Sequence, residues 1–115
     1  MTSDARKYAR AFLSHVSGDF GRDSRYGQDI SPVVLPPALN SGAAQYLRSA
    51  THLGISGGEA RKRGDEALAR AHRRDFVGQR RFATRFAAMD TADLESAYDD
   101  GYRWGYGGRE PAALV

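Results

Sequence analysis

The chain has no cysteine at any of its 115 positions. Disulfides, thiol nucleophiles and cysteine-ligated zinc are thereby excluded. Long apolar runs are also missing, and no stretch approaches the roughly 18 residues of a membrane span. The opening residues, Met1-Thr2-Ser3-Asp4, lack the basic-then-apolar layout of a signal peptide. These absences fit a cytoplasmic protein with no membrane association. Histidine is scarce: His15, His52 and His72 are the only three, and none sits in a metal-binding spacing. No metal or cofactor is expected. There is no nucleophile elbow. Gly54-Ile55-Ser56-Gly57-Gly58 is glycine-rich, but it lacks the lysine of a phosphate-binding loop and no strand is expected before it. It reads as a helix start, whose free N–H groups are at most a weak anion site.

What is present is ordinary globular composition, 41% hydrophobic and 27% charged. The length suits one domain with a modest core. The formal net charge is only +3, but its distribution is uneven. Residues 59–89 hold nine basic and four acidic side chains, whereas residues 90–115 hold two basic and six acidic ones. A basic block of this kind can meet phosphate, an acidic protein surface, or the chain's own acidic segment. Arginine outnumbers lysine 15 to 2. GC-rich codon usage would produce the same excess, yet guanidinium groups also suit bidentate phosphate or carboxylate contacts.

Periodicity predicts an all-α domain of four or five helices. Ala5, Tyr8, Ala9, Phe12, Leu13 and Val16 share one helical face, with Thr2 or Ser3 as N-cap and Gly18 as the stop. Residues 19–41 carry turn chemistry, including Pro32, Pro36 and Pro37, and form a loop in which Val33, Val34 and Leu35 could pack on the core. Asn40 or Ser41 opens a second helix that Gly54 is expected to end. Ser56 and Glu59 have capping-box spacing and would start the third.

That third segment, about residues 58–89, is the most informative. At 100° per residue, Lys62, Arg63, Arg70, Arg73, Arg74, Arg80, Arg81 and Arg85 fall within an arc of about 140°. Leu68, Phe76, Phe82 and Phe86 lie on the other side and are assigned to the core. A straight helix of this length would be about 46 Å long, more than a compact chain of this size spans. We expect a kink near Asp75 and Gly78. Without it the fold would be elongated and would favour a homodimer. Asp90 or Thr91 caps a last helix, about 92–106, in which Ala97, Gly101 and Gly105 form a row of small residues open to another helix. Residues 1–3 and 107–115 read as loose termini.

Three functional readings follow. In the first, the chain is a non-enzymatic binding or regulatory module. Arg70, Arg73, Arg74, Arg80, Arg81 and Arg85 then contact nucleic acid or another polyanion. In the second it is an assembly module, such as an accessory or inhibitor protein of a mobile element, whose arginine face meets an acidic protein surface. Trp104 and Tyr106 would be exposed anchors for a partner. The third is an enzyme resting on His72 and Asp75 alone, paired for proton transfer with Gln79 beside them. One geometric fact separates the first two: whether Asp93, Asp99 and Asp100 cover the arginine face.

Overall fold

Ser3 accepts the Arg6 amide hydrogen at 3.1 Å and opens the first helix, as expected of an N-cap. The computed structural model describes residues 3–18 and 34–107, with backbone alone for 16–18. The core position expected of Val16, most of the loop and the tail lie outside the described residues. Four helices are present: α1 Asp4–Gly18, α2 Ser41–Lys62, α3 Glu66–Phe86 and α4 Thr91–Gly107. No strand occurs among the described residues.

Asn40 caps α2 by accepting the Ala43 amide hydrogen at 2.8 Å. The helix then runs unbroken through Gly54, where a stop was predicted, and through the Ser56–Glu59 pair, where a new start was predicted. The reason is packing. Gly54 and Gly58 of α2 face Gly101 and Gly105 of α4, and the two backbones touch. A Cβ placed on Gly58 would lie 2.7 Å from the Tyr106 nitrogen, and one on Gly105 would lie 2.9 Å from the Ile55 carbonyl carbon. These glycines are close-approach sites inside helices rather than helix ends. The 54–58 run is mid-helical, and all of it but Ser56 is buried, so it offers no free N–H group to an anion.

The real break falls at Arg63-Gly64-Asp65. Gly64 takes φ +83°, a left-handed conformation that favours glycine. Its N–H bonds to the Arg61 carbonyl, and the Asp65 N–H bonds to the Ala60 carbonyl, both at 2.9 Å. Asp65 then caps α3 through the Leu68 amide at 3.1 Å. Turn and cap together end one helix and start the next, so the kink expected near Asp75 and Gly78 is not needed. The α3 helix continues through both residues. Asp90 starts α4 by accepting the Ala92 amide hydrogen at 2.9 Å.

Cross-helix pairs give the topology. Arg6 meets Asp93 and Arg10 meets Asp100, so α1 runs parallel to α4. Thr51 lies by Gly101 and Gly58 by Tyr106, so α2 runs parallel to α4 as well. Ser49 meets Gln79, and Gly57 lies by His72, so α3 runs antiparallel to α2. With α1 and α2 parallel, α2 starts at the opposite end of the bundle from where α1 stops, which requires a long connection. Of its described part, Leu39 packs against the core, whereas Val34 is 80% exposed and Leu35 is exposed. The molecule measures 39 × 29 × 28 Å, so it accommodates α3, about 31 Å long, without elongation.

Phe76, Leu47, Leu94 and Tyr98 centre one core cluster; Phe12, Leu13, Ile55 and Trp104 form a second. Trp104 is therefore interior, not the exposed anchor the sequence suggested, because α1 covers that side of α4. The Arg10–Asp100 pair closes the α1–α4 seam at 2.8 Å, with Asp100 only 5% exposed.

Candidate nucleic-acid interface

The six arginines of α3 separate into two sets. Relative to Arg70, helical phase places Arg74, Arg81 and Arg85 within about 60°, and places Arg73 and Arg80 about 60–80° away on the other side. The structure follows this division. Arg73 donates two hydrogen bonds to the Glu95 carboxylate of α4, at 3.0 and 2.9 Å, and Arg80 donates to the same carboxylate. Both guanidinium groups also lie over rings. Arg73 is 5.1 Å from the Phe76 centroid and 4.9 Å from that of Tyr98, and Arg80 is 5.8 Å from Phe76. These two arginines pin α3 to α4, so their charge is largely spent within the molecule.

Burial would push the Glu95 carboxyl up, but the Arg73 hydrogen bond and the charges of Arg73 and Arg80 outweigh it and hold the group below its ordinary value. The same hydrogen bond raises the Arg73 guanidinium further. Asp99 moves the other way: partial burial first, then the Glu95 charge, raise it. Asp99, Arg61, Arg70, Arg73, Tyr98 and Tyr102 line a groove of about 320 Å³ at the start of α3. Its mixed charges make it a poorer phosphate site than the helix beyond it.

Arg70, Arg74, Arg81 and Arg85 are exposed and form no ion pair with any described residue. They make a stripe about 22 Å long at 1.5 Å per residue. The α4 carboxylates leave most of it uncovered. Asp93 is held by Arg6 at 2.9 Å and Asp100 by Arg10, both from α1. Asp99 shares the groove with Arg70, the first arginine of the stripe. Glu95 takes only Arg73 and Arg80.

Other expectations fare differently. Tyr106 is 51% exposed. Phe82 and Phe86, assigned to the core, are 58% and 67% exposed. Phe76, also assigned to the core, and Ala83 do take the buried face, with a phase about 60–120° from that of Phe82 and Phe86. That offset was readable in the sequence and marks a third face on the helix. His72 and Asp75 form no pair. Asp75 is exposed, while Gln79 accepts a hydrogen bond from Ser49. Among the described residues, no three acidic or histidine side chains converge to hold a metal ion, and no helix is long and apolar enough to cross a membrane.

Comparison with protein-family models, curated proteins and solved structures returns no match, so function is read from these residues alone.

Proposed function

We propose that the protein is a non-enzymatic module that binds nucleic acid through the outward arginine stripe of α3. One observation carries the reading. Arg70, Arg74, Arg81 and Arg85 stay exposed on one line and form no ion pair among the described residues, although six acidic residues follow in the sequence. A cationic face left uncompensated by such a neighbour suits an external polyanion. Arg73 and Arg80, expected at the outset to share in the contact, act instead as struts of the fold.

The test is a binding titration with labelled DNA and RNA at about 50 and 200 mM salt, where four phosphate contacts on duplex DNA should cost about 100-fold in affinity. Arg70/Arg74/Arg81/Arg85→Ala should abolish binding and leave the melting temperature within a few degrees of the parent. Arg73/Arg80→Ala should do the reverse, lowering thermal stability by leaving Glu95 without its partners. If the quadruple variant still binds, the stripe is not the contact.

A second reading has its own support. Exposed Tyr106 beside Arg103 and Asp99 provides a surface for a protein partner. An acidic protein would then occupy the stripe, and no oligonucleotide would bind at low salt.

A further inference from the structure

Phe82 and Phe86 lie on α3 beside the arginine stripe, about 60–140° around the helix from Arg81 and Arg85. Their rings are stacked, with centroids 5.8 Å apart and planes 19° from parallel. The Arg85 guanidinium lies 5.3 Å from the Phe86 centroid, so one arginine belongs to both features. Exposing two neighbouring phenylalanines forfeits the burial that such side chains ordinarily supply. Leu68, at a similar phase two heptads before Phe82, is also exposed, but it contributes no ring.

We propose that Phe82 and Phe86 are a base-stacking platform, and that the occupant of the stripe is a nucleic-acid strand with unpaired bases. This rests on the nucleic-acid reading above and narrows it. A strand whose phosphates follow Arg81 and Arg85 can turn its bases toward the adjacent face, where the two rings meet them. Stacking is tolerant of sequence because every base has a π-face. A duplex cannot use the platform, since its base faces are already covered within the stack. A lipid surface fits less well: an interfacial helix carries cations on both flanks of its apolar face, and here the arginines lie on one flank only. On the other flank is Gln79, neutral and bonded to Ser49. Exposed Asp75, one heptad before Phe82, bounds the platform on the N-terminal side.

The experiment measures binding of oligo(dT), oligo(U) and a duplex, each about 20 nucleotides or base pairs long, at about 50 mM salt. The proteins are the parent, Phe82/Phe86→Ala, Phe82/Phe86→Trp and the quadruple arginine variant. Both rings are exposed, so the alanine variant should keep its fold, as a melting curve will check. The parent should prefer both single strands to the duplex. Phe82/Phe86→Ala should lose about tenfold or more on single strands, and less than twofold on duplex. Tryptophan fluorescence of the Phe82/Phe86→Trp protein at the new indoles should be quenched by oligo(dT). Equal affinity of the alanine variant and the parent for single strands, or no quenching, would overturn the platform while leaving the arginine reading standing. Failure of the parent to bind any oligonucleotide would overturn both. Phe-dependent binding to phosphatidylserine vesicles, with oligonucleotide affinity unchanged, would replace the strand by a lipid surface.

Discussion

Arg73 and Arg80 share a helix with Arg70, Arg74, Arg81 and Arg85, and only helical phase separates their roles. The inward pair meets Glu95 and the rings of Phe76 and Tyr98; the outward four meet solvent. Glu95 is therefore the residue that keeps the two sets apart. Its folded carboxyl titrates below the ordinary value of 4.5, despite the opposing effect of burial. The stability it contributes is present above the unfolded value and is lost as pH falls through the lowered folded value. Glu95→Gln should therefore lower stability near neutral pH and flatten the acid limb of the stability profile, as urea melts from about pH 2 to 7 would show. An acid limb unchanged in the variant would mean that Glu95 is not the group holding the struts. Asp99 carries the opposite sign. Its raised value makes its charge a cost that is relieved on acidification, so Asp99→Asn should be neutral or stabilising near pH 7.

At the scale of elements, glycine has two opposite meanings in this chain. In the α2–α4 seam it is a contact surface, and a Cβ on Gly101 would run into the Thr51 carbonyl oxygen. On α3, Gly78 has open space around it. Gly101→Ala should destabilise the protein by about 3 kcal/mol through forced helix separation. Gly78→Ala should stabilise it by about 0.5–1 kcal/mol through helix propensity. Thermal melts of the two variants should shift in opposite directions; a shared direction would contradict the seam.

The same contrast explains what could be read from the sequence. The all-α class and the caps at Ser3, Asn40 and Asp90, each one of two candidates, follow from local patterns that tertiary structure left alone. The α2 boundary did not, because Gly54 and Gly58 look like stops until α4 is known to lie against them. The Gly64-Asp65 signal was present but was masked by the shared phase of Lys62 and Arg63 with the later arginines. Trp104 was misplaced because nothing local shows that α1 covers it. Helical phase sets Arg73 and Arg80 apart from the other four, but that this pair meets a carboxylate depends on Glu95, 15 residues beyond Arg80.

On the scale of the whole molecule, charge is arranged in layers. The α1 arginines Arg6 and Arg10 hold Asp93 and Asp100, the inner α3 arginines hold Glu95, and the outer α3 arginines remain. Three carboxylates of α4, Asp93, Glu95 and Asp100, are thus held by arginines within the bundle. The net charge of +3 understates the field on the α3 side. Because α3 packs chiefly on α2 and meets α4 through Arg73, Phe76 and Arg80, much of its circumference faces solvent. The fold presents this helix rather than burying it.

The most direct test of this division is an NMR titration that follows the arginine side-chain Nε–Hε signals as oligo(dT) is added. Signals of Arg70, Arg74, Arg81 and Arg85 should shift and saturate together, while those of Arg73 and Arg80, locked on Glu95, should stay in place. Uniform shifts across all six, or shifts confined to Arg73 and Arg80, would contradict the account.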